Sequence, residues 1–153
     1  MNDKLERALF QAAVMTFEEL GLMLPTPKLD EGQRGAAAQA AVSVQFCGPF
    51  EGELVVLACG DWLPDLAANM LGENEPPSPP HQLDALGEIA NVICGNVLPE
   101  IASSRAVFNL SAPRPVEVPA IAAIDPEAPT AKAQIGLDLG RAEVRLYLLS
   151  EAA

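Results

Sequence analysis

Residues 79–98 form a helix that is polar along one line and apolar across from it, and this constrains the fold more than any other segment. At about 100° per residue, with Asp84 at zero, Glu88 lies near 40°, Asn91 near −20° and Gly95 near 20°. These positions share one narrow stripe. Leu83, Leu86, Ala90, Ile93, Val97 and Ile101 lie roughly 180° to 260° away. A helix of this kind packs one side on a core and turns its stripe toward something outside.

The segments around it indicate what that core is. Leu5, Leu9, Ala12, Ala13, Thr16, Phe17 and Leu20 recur at helical steps, which predicts an amphipathic helix over 3–23 closed by Gly21, Pro25 and Pro27. Residues 25–36 read as an exposed loop. Ala41 to Cys47 alternates with period two, Gly48-Pro49 marks a turn, and Glu53 to Cys59 follows as a more continuously apolar strand. Residues 40–59 are therefore expected to form a β-hairpin. Asp61 can cap a helix with Pro64 in its first turn and Gly72 as its stop. The prolines of residues 76–80 make a stiff connector, and Ser78-Pro79 resembles a cap and helix start. Pro99 should kink or end the helix after Leu98, with room for a short second helical piece.

Beyond Ser103 the texture changes to strands. Ala106–Leu110, Val116–Val118 and Ile121–Ile124 are candidates, and Lys132–Asp138 with Glu143–Ser150 predict a terminal hairpin around Gly140. The order is helix, hairpin, helix, helix, strands. It predicts one α+β domain over residues 1–153, an antiparallel or mixed sheet with helices packed on one face in two layers.

Composition limits the chemistry. A formal charge of −12 among 153 residues repels nucleic acid and anionic lipid. No window approaches the ~18 uninterrupted apolar residues of a membrane span, and no signal peptide is read, so the cytoplasm is expected. Cys47, Cys59 and Cys94 form no CxxC pair. Cys47 and Cys59 are free to face each other across the hairpin, or all three serve as reduced, buried small hydrophobes. With His81 the sole histidine, a zinc site or serine-type triad lacks its usual parts. The glycine-rich phosphate loop is missing too.

The stripe has an ordinary explanation. Acidic side chains near a helix start favour the dipole and solvate an outer face. Asn91 asks for more, because asparagine is mildly unfavourable in mid-helix. The nearest decoy, Asp65 with Asn69, has a spacing of four rather than three and no glycine four residues on.

Asp84-x3-Glu88-x2-Asn91, followed after 21 residues by Pro113, resembles the signature of the CheC/CheX/FliY phosphatases of bacterial chemotaxis. Gly95 sits where members of that family often have glycine. Phe50-Glu-Gly-Glu-Leu-Val-Val-Leu-Ala, leading into Asp61-Trp-Leu-Pro-Asp-Leu-Ala-Ala-Asn-Met-Leu-Gly72, looks like the strand and helix before the motif in CheX-type proteins. CheC-type members carry two motif copies, so this chain, with one, looks more like CheX.

The resemblance implies hydrolysis of the aspartyl phosphate of a CheY-like response regulator. Asn91 would orient the attacking water and Glu88 would hold the regulator's active-site lysine. Asp84 would orient the site or bond the partner's backbone, Gly95 would give clearance, and Pro113 would shape a loop beside the motif helix. It also implies no cofactor of the chain's own, Mg2+ on the partner regulator, and a homodimer formed through sheet elements. Arg145–Ser150 would be a sticky edge if left unpaired. Two other readings share the fold: a module that binds a receiver domain without hydrolysis, and a structural subunit like the flagellar-switch members, for whose extra segments 153 residues leave little room.

Overall fold

The computed structural model describes residues 2–75, 77–102, 105–117 and 129–151. In chain order these form α1 (Asn2–Glu19), α2 (Glu31–Gly35), β1 (Ala38–Cys47), β2 (Phe50–Cys59), α3 (Leu63–Leu71), α4 (Pro79–Ile101), β3 (Asn109–Leu110), β4 (Arg114–Pro115), β5 (Ala131–Leu137) and β6 (Gly140–Glu151). The strands make one antiparallel sheet in the order β3-β1-β2-β6-β5, with β4 also paired to β1.

The period-two patterns sort the sheet into two faces. Val42, Val44, Phe46, Leu54, Val56, Ala58, Ala133, Ile135, Ala142, Val144 and Leu146 point into the main core. The helices supply the other half of that core. Leu5, Leu9 and Phe17 come from α1, Leu66 from α3, and Leu86, Ile89 and Ile93 from α4. Helix α1 lies over β5, α4 lies over β1 and beside α1, and α3 packs on α4. The fold is the expected α+β arrangement, with the sheet wholly antiparallel.

Several boundaries differ from the sequence reading, each for a physical reason. Helix α1 stops at Glu19, where Leu22 takes a positive φ of 53° and the Met23 amide bonds back to the Phe17 carbonyl at 3.1 Å. Residues 25–36 are not all loop. Asp30 and Gln33 form a capping box, with 2.7 and 3.0 Å bonds, that supports the single turn of α2. Asp61 does not cap α3. Trp62 holds the cap position, and its indole N–H donates to the Cys59 and Arg141 carbonyls instead. Gly72 does stop α3, at a φ of 68°. Helix α4 carries Pro99 inside it and runs on to Ile101.

The strand predicted at 106–110 pairs only at Asn109 and Leu110. Phe108 turns instead into an edge-to-face cluster with Phe46 and Phe50, at centroid distances of 6.0 and 5.1 Å. The next pairing falls on Arg114 and Pro115 rather than on Val116–Val118, and Ile121–Ile124 and Val118 lie outside the described residues. Cys47 and Cys59 do not face each other. Cys47 pairs with Glu51 and Cys59 with Ala38, at opposite ends of the hairpin, and Cys47 is exposed. The terminal strand β6 pairs with β2 from Arg141 to Glu151, while β5 flanks it only as far as Leu146.

A candidate docking and phosphatase site on helix α4

Packing leaves α4 with one open line. Ala85, Leu86, Ile89, Ala90, Ile93, Cys94, Val97 and Leu98 are buried, an arc of roughly 100° to 320° from Asp84 on the helical wheel. Asp84, Glu88 and Gly95 are exposed, and Asn91 is half-buried between them and the core. The stripe read from spacing is thus a solvent-facing line on the helix, and it includes all four positions.

Asn91 differs from its neighbours. Its Oδ1 is buried and has no hydrogen-bond partner. A buried acceptor without a donor costs about 1–3 kcal/mol, so the fold holds this carboxamide oxygen in an unsatisfied state. Gly95, one turn further on, opens onto free space: a Cβ added there would meet nothing within 4 Å.

Pro113 reaches the site through the interrupted β3–β4 edge. Ser111 bonds to Gln45, and Arg114–Pro115 pairs with β1 again, so only Ala112 and Pro113 interrupt the pairing. The Pro113 ring then rests against Gly87, where an added Cβ would come within 2.9 Å of the proline Cβ. Val42, Leu83, Asp84, Gly87, Glu88, Pro113, Arg114 and Pro115 line a depression of about 170 Å³ beside the stripe. Pro113 therefore walls one flank of the motif helix.

Gly87, Arg114 and Pro115 did not stand out in the sequence. Gly87 had a signal: a glycine in mid-helix costs about 1 kcal/mol and implies a close neighbour. A larger cleft, about 810 Å³, is lined by Gly32, Trp62, Asp65 and Asp138 among others, and no stripe residue lines it.

Cys94, the nearest thiol in sequence, is buried, and burial pushes its pKa up to about 12, so it carries no thiolate near neutrality. His81 is exposed and engages Ser78 Oγ at 3.1 Å. Among the described residues no group of three or more His, Cys, Asp or Glu side chains is placed to hold a metal ion. None of the described helices is long and apolar enough to cross a membrane.

An antiparallel sheet backed by helices, one of which turns Asp84, Glu88, Asn91 and Gly95 outward with a distant proline at its flank, defines a class of α+β domains. Within that class the chain belongs to the CheX family: the family described as chemotaxis phosphatase CheX matches residues 40–130, which include every stripe position and Pro113.

Solved structures agree on the fold. The chemotaxis protein CheX from Vibrio vulnificus superposes with a TM-score of 0.68 at 13% identity, covering 95% of this chain and 96% of that one. CheX from Desulfovibrio desulfuricans gives 0.69 at 14%, covering 95% and 99%. The CheX of a CheX–CheY–BeF3–Mg2+ complex from Borrelia burgdorferi gives 0.61 at 16%, covering 93% and 96%. No curated protein matches this chain.

Proposed function

We propose that this protein hydrolyses the aspartyl phosphate of a CheY-like response regulator, with Asn91 orienting the attacking water and Glu88 holding the regulator's active-site lysine. The observation that carries the reading is the unsatisfied Oδ1 of Asn91 on the docking face. That oxygen is buried in the free protein, so the carboxamide would turn outward on docking; the oxygen then accepts from a water and the amide donates to a phosphoryl or carboxylate oxygen. The water oxygen then attacks phosphorus in line, the P–O bond to the aspartyl carboxylate breaks, and a proton leaves to solvent.

A carboxamide suits this task because it adds no negative charge beside the phosphoryl group. An acyl phosphate is already reactive, and each hundredfold of acceleration needs only about 2.7 kcal/mol. Exposed Glu88, one turn before Asn91, can form a charge-assisted bond to a lysine and so fix the carboxamide's position. Asp84 would orient the site or bond the partner's backbone. Magnesium would arrive with the regulator. The family assignment and the CheX–CheY neighbour support the choice of partner.

The test is release of phosphate from a phosphorylated receiver domain. Asn91→Ala should lose at least a hundredfold in rate with binding largely kept, and Glu88→Ala should weaken binding as well. Unchanged rates in both variants would reject the mechanism. Tight binding by the unaltered protein without faster release would instead identify a non-catalytic module. A homodimer formed through sheet elements is proposed from the same resemblance. Light scattering at micromolar concentration should give twice 16.1 kDa.

A further inference from the structure

Pro99 extends the stripe by one more turn. It lies four residues after Gly95 and, at about 100° per residue, near 60° on the same wheel. Proline has no backbone N–H, so the Gly95 carbonyl has no donor at the position that would close its helical bond. A proline ring in a helix interior also crowds the carbonyl four residues back. At any other residue the side chain would help screen the oxygen, but at Gly95 the space is open and both residues are exposed.

Charge identifies what belongs there. The last turn of α4 contains no basic residue, so nothing from this helix's own end offsets the negative end of its dipole. Asp84 and Glu88 lie on the same line, in a chain of net charge −12. We propose that the Gly95 carbonyl, kept free by Pro99, accepts a hydrogen bond from a cationic side chain of the docked receiver domain. This contact is separate from the lysine held by Glu88. Seven residues separate the two, so the second cation sits roughly 10 Å further along the helix. The inference rests on the receiver-docking function proposed above and gives Gly95 a second role beyond clearance.

The experiment compares the unaltered protein with Pro99→Ala and Pro99→Gly. Both substitutions restore an N–H at position 99, but alanine strengthens the helix far more than glycine. The probe is a beryllofluoride-loaded, magnesium-bound CheY-like receiver from the same organism, and the readouts are calorimetric affinity and the carbonyl 13C shift of Gly95. A hydrogen bond to a charged group predicts roughly tenfold weaker binding in both variants. The Gly95 carbonyl shift should move downfield on docking in the unaltered protein and stay still in both variants.

Equal affinity for all three proteins would overturn the proposal, as would a loss confined to one variant, which would point to helix shape. If Glu88→Ala weakens binding while both Pro99 variants bind normally, the docking function stands and this inference alone fails. If the unaltered protein binds no receiver at all, both fall together.

Discussion

At the residue scale, Gly87 and Pro113 show how a motif can be read without its mechanical partner. Pro113 was legible through its spacing from Asn91, whereas the role of Gly87 depends on Pro113 packing against it. Their contact is close enough that the missing Cβ is required: an alanine at position 87 would sit 2.9 Å from a proline ring atom that cannot rotate away. Gly87→Ala should therefore cost about 1–3 kcal/mol as an overpacked site and slow dephosphorylation by displacing the flank beside Glu88. Adding Pro113→Gly should return most of the stability lost to the clash, because the colliding Cβ is gone. Denaturant unfolding of the two single variants and the double variant measures this coupling, and simple additivity would show that the contact is not the cause. Asp84, Glu88, Asn91 and Gly95 were legible because helical spacing alone aligns them. The unsatisfied Asn91 Oδ1 was not, because it depends on packing from other elements.

At the element scale, the start of α3 explains a misplaced boundary. Aspartate is a good cap, and Asp61 stands where a cap is expected, yet the tertiary fold assigns the position to Trp62. That indole is 2% exposed, packs edge-on against Phe17 at 5.5 Å, and donates to one carbonyl on β2 and one on β6. It joins two strands and two helices, a role no local pattern reveals. Trp62→Phe keeps an aromatic ring but leaves those carbonyls without their donor. It should lower stability by about 1–3 kcal/mol, and Trp62→Ala by about 3–5 kcal/mol, both read from urea midpoints. Neither variant touches the α4 stripe, so the rate of phosphate release from a folded sample should stay within twofold of the unaltered protein. The α2 turn had a legible signal in the Asp30-x-x-Gln33 capping pattern that went unused. The β3–β4 break depended on the Phe46–Phe50–Phe108 cluster, whose members are distant in sequence.

At the scale of the whole molecule, the sheet's second face shows what alternation can and cannot convey. Period two separated core from outer positions in β1, β5 and β6, while β2 read as a continuously apolar strand, so the layer architecture was legible. It did not show that outer positions would themselves be buried, as Ala41, Val55, Leu57 and Cys59 are, together with Ser43 and Glu143. Glu143 is 3% exposed. Desolvation works to raise its pKa, but hydrogen bonds from Gln134 and Arg145, with the charges of Arg145 and Lys132, outweigh it and hold the pKa below the usual 4.5. Arg141 also approaches its carboxylate, at 3.9 Å. The sign follows from linkage: a carboxylate whose folded pKa is depressed contributes stability that is complete above its unfolded pKa and is lost as pH falls through the folded value. The protein should therefore lose stability below about pH 4.5, with Glu143 contributing to the slope. Glu143→Gln should be less stable at pH 7 by about 1.5–3 kcal/mol, the worth of hydrogen bonds to a charged group. The gap between the two proteins should close as pH drops from 5 toward the folded pKa. Urea unfolding at stepped pH provides the measurement, and a gap that stayed constant with pH would mean that the Glu143 charge is not what the outer face depends on.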